Sequence, residues 1–316
     1  RRATRRRLAS ISGPSGMLRV TAGRSDRRRA RASADAIAEA RRELLGDPHN
    51  SAESTEMRLT LAPKPLLVAC LAGTRRLPAL HCSTVPDALS EVRRRVREAS
   101  GERDVRLVAV SKTKPAALLR EAYDAGQREF GENYVQELVE KAPTLPDDMQ
   151  WRFIGKLQSN KAKVLVEGVP NLVAVETVDS AKLADRLQKA AAAALEARGG
   201  TPLDIYVQVN TSPWEGTKGG VTPEGAAELA AHVAAACPAL RFRGVMTIGA
   251  PGDERCFGAL RDARDAAAAA LSVPADSLEL SMGMSGDFEA AIAAGSDSVR
   301  VGSSIFGARE YKASKP

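Results

Sequence analysis

A chain of 316 residues, 44% of them apolar, is long enough for one large domain with additional sequence or for two, and can build a sizeable core. Its formal charge of +7 is confined to one end: residues 1–84 carry 17 Lys+Arg against 7 Asp+Glu, whereas residues 85–316 carry 29 against 32, so the folded part lacks the cation excess that nucleic-acid binding draws on. No run reaches the ~20 apolar residues of a membrane span, and the four cysteines (Cys70, Cys82, Cys237, Cys256) and three histidines (His49, His81, His232) show neither metal-ligand spacing nor a nucleophile–base pattern, which points to a reducing compartment and no metal site.

The first 33 residues hold eleven arginines and a single acid, Asp26. Arg-rich, Ser-bearing, acid-poor composition is that of an organelle transit peptide. A second candidate start, Met57, opens a stretch with no Asp or Glu until Asp87. Residues 1–84 are therefore expected to be a basic extension, a transit peptide or a disordered tail, and the protein to be cytoplasmic, or mitochondrial or chloroplastic if that extension is an address. The fold, residues 85–316, is expected to open with a helix, "PDALSEVRRRVREASG", in which Ala88, Leu89, Val92 and Val96 form the apolar side and Gly101 the stop.

From there the chain alternates. Short β-branched runs occur at 106–112, 128–132, 151–155, 172–178, 204–210, 241–248, 278–283 and 298–303, with helical patterns between them such as "PAALLREAYDAG", "SAKLADRLQKAAAAALEARGG" and "PEGAAELAAHVAAAC". Eight strands each followed by a helix predict an α/β fold, a single (β/α)8 TIM-type barrel. A doubly wound open sheet is the competitor, but no Gly-x-Gly-x-x-Gly follows the first strand.

Barrels of this kind carry their chemistry at the C-terminal ends of the strands. The residues predicted there include Lys112, Glu132 with Asn133, Gly155, Glu176, Asn210, Met246 with Thr247, the "SMGMS" run at 281–285 and the "RVGSS" run at 300–304. A lysine ending strand one can be a nucleophilic amine if desolvation or a neighbouring cation keeps it neutral, and its natural partner is an aldehyde. Gly/Ser loops offer backbone N–H groups and hydroxyls to a phosphate, above all where the last loop enters a helix near Ser304. Arg300 can point at a ring nitrogen. Aldehyde, phosphate and aromatic nitrogen together describe pyridoxal 5′-phosphate. Plainer readings stand beside these: Lys112 as an exposed strand-end cation, Lys114 as a solvated residue before the next helix, "SMGMS" as a turn with core methionines, and Arg300 as a partner of Asp287 or Glu279.

Seven stretches in register, "LVAVSKTKP", "GQREFGENYVQE", "WRFIGKLQSNK", "VETVDSAKLA", "GVMTIG", "LSMGMSGDFEAAI" and "VRVGSSIFG", closely resemble the YggS/PROSC family of pyridoxal phosphate homeostasis proteins. The resemblance runs from about Val85 to Tyr311 and leaves residues 1–84 uncovered. It implies a single barrel of the alanine-racemase N-terminal type, with pyridoxal phosphate held as a Schiff base on Lys112. It further implies phosphate contacts from Ser281, Gly302 and Ser303, a ring-nitrogen contact from Arg300, and Asn133 and Met246 lining the pocket. Glu215, Lys218 and Gly220 also match the family pattern, whereas Pro213, Trp214 and Lys156 depart from it.

Racemases of this barrel type need a second acid/base, a tyrosine brought by a separate domain, because α-proton removal and return want two positioned groups. The chain ends a dozen residues after strand eight, and its tyrosines (Tyr123, Tyr134, Tyr206, Tyr311) offer no clear second base; Tyr134 opens a helix and is expected to pack. The expectation is a non-enzymatic carrier or buffer of pyridoxal phosphate with Lys218 as a relay amine, PLP-dependent apoenzymes as partners, no nucleic acid or membrane, and a monomer. A weak amino-acid racemase is the alternative.

Overall fold

The computed structural model describes residues 84–212 and 219–308. The expected basic extension therefore lies outside the described residues, apart from Thr84, and so do Lys218, Glu215 and Tyr311.

The first helix, α1 (Val85–Ser100), begins where Thr84 and Asp87 form a reciprocal capping box with Pro86 in the first turn, and it stops at Gly101, whose φ of 61° few other residues adopt cheaply. Its apolar positions Val85, Leu89, Val92 and Val96 recur every three to four residues, and all four are buried. Each such side chain contributes about 1.5–3 kcal/mol by leaving water, which anchors the helix against its neighbours in the outer layer, the helices Ala116–Asp124, Phe288–Ala293 and Ser303–Phe306.

Eight parallel strands follow and close on themselves in chain order. They are β1 (Arg106–Val110), β2 (Glu129–Glu132), β3 (Gln150–Phe153), β4 (Leu172–Val178), β5 (Leu203–Gln208), β6 (Leu240–Met246), β7 (Glu279–Met284) and β8 (Ser298–Val301). The connecting helices are α2 (Ala116–Asp124), α3 (Val135–Lys141), α4 (Ala162–Gly168), α5 (Ala181–Ala193), α6 (Pro223–Ala236), α7 (Arg255–Leu271) and α8 (Phe288–Ala293); a short turn of helix, α9 (Ser303–Phe306), follows β8. Closure is made by β1 against β8, with Arg106 opposite Ser298 and Ala109 opposite Val301.

Side chains alternate across each strand. Phe130, Trp151, Phe153, Ile205, Leu280 and Val299 point outward into one apolar core shared with the helices. Their neighbours Arg152, Glu176, Tyr206, Met246, Ser281 and Arg300 fill the interior instead, all buried. Met246 is packed there with Ala174 and Tyr206.

The lower, N-terminal end of the barrel is a closed ion network. Arg106 reaches Glu129 at 3.2 Å and Glu279 at 2.5 Å, Arg152 pairs with Glu129 and with Glu176 (3.2 Å), Arg243 pairs with Glu279, and the Tyr206 hydroxyl donates to Glu279 at 2.6 Å. Burial works against the Glu279 carboxylate, but the hydrogen bonds from Arg106 and Tyr206 and the charges of Arg106 and Arg243 outweigh it and hold the group down to about 2. The buried phenol of Tyr206 is pushed up, first by desolvation and then by Glu176 and Glu279.

Candidate functional site

At the opposite end, β1 stops at Val110, two residues earlier than the sequence suggests. Lys112 is therefore the second residue of a four-residue turn, closed by Lys114 N–H donating to the Ser111 carbonyl at 3.1 Å. Thr113, third in the turn, has φ 62°, an unfavourable value for a β-branched residue. The strain is held from the side. Thr113 N–H donates to Glu137 Oε1 (2.6 Å), and Lys141 Nζ donates to the Ser111 carbonyl (3.0 Å), to Glu132 Oε1 (2.9 Å) and to Glu137 Oε1 (2.5 Å). Ser111 Oγ completes the clamp with a 2.7 Å bond to Glu132. Glu132 is fully buried; desolvation raises its carboxyl above the ordinary range, while Lys141 and Ser111 pull in the other direction. Lys141 and Glu137 were not legible as site residues, because their role depends on α3 folding back over the β1 turn.

The turn opens onto a cavity of about 350 Å³. Lys112, Lys114, Asn133, Arg300, Gly302 and Ser303 reach it, together with Ser285, Gly286, Met284 and apolar Val110, Ile154 and Ile248. The side-chain oxygen of Asn133 is buried with no partner among the described residues, the kind of orphaned group that a ligand satisfies. Arg300 sits at the cavity floor. Burial pushes its guanidinium below the usual arginine value, opposed by Glu176 and Asp287, and an arginine so placed still keeps its charge. It uses two of its donors within the barrel, one to Ser281 Oγ and one to the Thr247 carbonyl, both at 2.6 Å.

The structure differs from six of the sequence readings. Arg300 pairs with neither Asp287 nor Glu279. Ser281 is not among the residues lining the cavity: its hydroxyl donates to Glu176 Oε2 at 2.6 Å and accepts from Arg300, so its one donor is spent inside the barrel. Met246 lies in the interior cluster with Tyr206 rather than on the cavity wall, and Glu176, expected at the strand-end face, bridges Arg152 and Ser281 within the barrel. Lys114, expected to be solvated, lines the cavity and donates to the Ala308 carbonyl at 2.7 Å. Tyr134 is 54% exposed rather than packed.

In place of Ser281, Ser285 at the end of the same "SMGMS" run lines the cavity, and its Oγ accepts the Gly302 N–H at 3.1 Å. The run bends there because Gly283, φ 96°, lies so close to Ala291 that a Cβ would come within 2.6 Å of that side chain. On the far wall Gly155 packs against Asn133, where a Cβ would lie 2.0 Å from the carbonyl oxygen, and the Thr177 hydroxyl donates to the Gly155 carbonyl at 2.6 Å. Small residues thus let three loops close around one space.

An amine on a clamped turn, a buried guanidinium and Gly/Ser loops around a cavity at the top of a parallel barrel define a class. Residues 86–310 match the family model of the alanine racemase N-terminal domain. Among curated relatives, the pyridoxal phosphate homeostasis protein of Schizosaccharomyces pombe is 47% identical over 233 residues, covering 72% of this chain and 94% of that protein. The human pyridoxal phosphate homeostasis protein is 45% identical over 244 residues, covering 71% and 86%. Among solved structures, PipY of Synechococcus elongatus PCC7942 with PLP bound is 36% identical with a TM-score of 0.56, over 71% of this chain and 100% of that one. The chain belongs to the pyridoxal phosphate homeostasis protein family.

Proposed function

We propose that this protein binds pyridoxal 5′-phosphate in the cavity above β1 and β8 and serves in its homeostasis, as a carrier that holds and releases the cofactor rather than an enzyme that turns over with it. The observation that carries the reading is the convergence of Lys112, Arg300 and Asn133 on one cavity of about 350 Å³. When bound, the group supplies an aldehyde that reacts reversibly with amines and a ring that stores electrons. Lys112 would provide the amine. Arg300, already oriented by Ser281 and the Thr247 carbonyl, would direct a remaining donor to the ring nitrogen. Ser285 and Ser303 would take the phosphate through their hydroxyls, the former held in place by the Gly302 N–H that donates to its Oγ. Asn133 would satisfy its orphaned oxygen on a ligand hydroxyl or amine.

The carrier reading is supported by what lines the cavity. Among the described residues no tyrosine, histidine, cysteine or carboxylate lines it, and the second amine there, Lys114, donates to the Ala308 carbonyl at 2.7 Å. Tyr206 is committed to Glu279 and Tyr123 to Asp148. Purified protein dialysed after addition of pyridoxal phosphate is expected to keep an absorption band near ~420 nm, the region of a lysine-bound pyridoxal chromophore, and Lys112→Ala to lose it completely. A wild-type protein that retains no band, or an amino acid whose α-hydrogen exchanges in D₂O in its presence, overturns the binding and the carrier reading respectively.

A further inference from the structure

A second concave surface, about 890 Å³, lies beside the cofactor cavity between α4 and α5. Five of its lining side chains are cations, Lys156 and Lys163 on one wall and Lys182, Arg186 and Lys189 on the other, against two carboxylates, Glu167 and Asp179. The three on α5 are exposed and spaced four and three residues apart, which places them on one stripe of the helix. Like charges at that spacing cost helix stability unless something neutralises them. Among the described residues none of the three has an ion-pair partner within 4 Å. Lys163 has only a loose 3.7 Å pair with Glu167, and Asp185, the acid nearest the stripe in sequence, hydrogen-bonds to His232 instead. The patch contrasts with a folded region that as a whole carries 29 Lys+Arg against 32 Asp+Glu.

The groove also shares a loop with the cofactor cavity. Ile154 lines the cavity, Gly155 packs on Asn133, and the next residue, Lys156, opens the groove. From that rim the cations run down the outside of the barrel, Lys182 to Lys189 spanning about 10 Å of helix at 1.5 Å per residue. Charges strung out in this way do not converge on one small anion.

We propose that the α4–α5 groove is the docking surface for an acidic protein partner, specifically the acidic face of an apoenzyme that receives pyridoxal phosphate. The inference rests on the carrier reading above: a partner held here has its own site at the rim from which the cofactor leaves. Such a surface acts mainly on the rate of encounter, and its effect weakens with salt.

The test uses the full chain loaded with pyridoxal phosphate, mixed with each of a panel of acidic PLP-dependent apoenzymes, with regained enzyme activity as the readout. The combined variant Lys182→Glu/Arg186→Glu/Lys189→Glu is compared with wild type, and the triple alanine variant is measured alongside in case charge reversal disturbs folding. At low salt the charge-reversed protein is expected to deliver the cofactor about tenfold more slowly, the alanine variant to fall between, and wild type to lose its advantage as salt rises from about 20 to about 300 mM. Retention of the absorption band should be unchanged in both variants, since none of the three residues reaches the cofactor cavity. Equal delivery rates with equal salt dependence in a variant that retains its band overturn the groove proposal and leave the carrier reading intact. Loss of the band from wild type overturns the carrier reading; the groove is then judged by salt-sensitive association with the apoenzymes alone, and no association sinks it. Tighter binding of duplex RNA than of any apoenzyme, abolished by the same charge reversal, replaces the protein partner with a nucleic acid.

Discussion

The two ends of the barrel use the same residue types in opposite ways. At the lower end Arg106, Arg152, Arg243, Glu129 and Glu279 satisfy one another, with Tyr206 donating into the same network. At the upper end Lys112 and Arg300 face a cavity that no carboxylate lines among the described residues, and Asn133 keeps a buried oxygen unpaired. Closed ion networks resist rearrangement, because removing one member strands its partners in a low-dielectric interior. An unpaired polar atom such as the Asn133 oxygen contributes nothing to folding and gains from meeting a ligand. A single hydrogen-bonded chain, Arg152 to Glu176 to Ser281 to Arg300, connects the two ends through the barrel. The upper arginine is thus oriented by the lower network.

Arg152→Leu should open the largest gap between the two ends. It leaves the fully buried Glu176 without its cation and Glu129 with one fewer partner, and is expected to cost about 3–5 kcal/mol of unfolding free energy in urea. A loss below about 1 kcal/mol would mean that the network contributes no more than a surface ion pair, and the contrast would fail.

Acid probes the same end more gently. Glu279 is held at about 2 in the folded protein against an ordinary 4.5, so its contribution is fully present above pH ~4.5 and drains away as the pH falls towards 2. The shift corresponds to a contribution on the order of 3 kcal/mol. Unfolding measured between pH 6 and pH 3 should show stability declining with acidity, and Glu279→Gln should flatten that decline; an unchanged slope would remove Glu279 from its cause.

The smallest stability change is expected at the upper end. Asn133→Ala should alter unfolding free energy by no more than ~0.5 kcal/mol, yet weaken pyridoxal phosphate retention by about five- to thirtyfold, the equivalent of one lost hydrogen bond of about 1–2 kcal/mol. Equilibrium dialysis and urea unfolding on the same samples separate the two effects. A variant that loses stability while binding normally would assign Asn133 to the scaffold.

Much of this architecture is legible in the chain. The eight expected strands each fall within three residues of the observed ones at either end, because a buried parallel strand writes itself as a β-branched run and a helix start as a cap. Lys112, Asn133, Arg300, Gly302 and Ser303 were also readable, since strand-end position follows from strand position and barrels gather those ends on one face. Ser281 and Ser285 show where that logic stops. Both lie in "SMGMS", and local pattern alone cannot tell which of two hydroxyls four residues apart faces a cavity and which is consumed by Glu176, 105 residues away.

What the sequence determined by itself is therefore everything of short range: the order and type of elements, their caps and breakers, and the lysine and glycine/serine residues waiting at strand ends. Only the closed tertiary structure decided the partners. Strand closure sets Arg152 beside Glu176 and Ser281 beneath Arg300, folds Lys141 of α3 over the turn that carries Lys112, and lines up cations from two helices into one groove. The reason is physical: periodicity depends on neighbours three or four residues away, whereas the fate of a buried charge depends on what the other strands bring within about 3 Å of it, and that distance exists only once the barrel has closed.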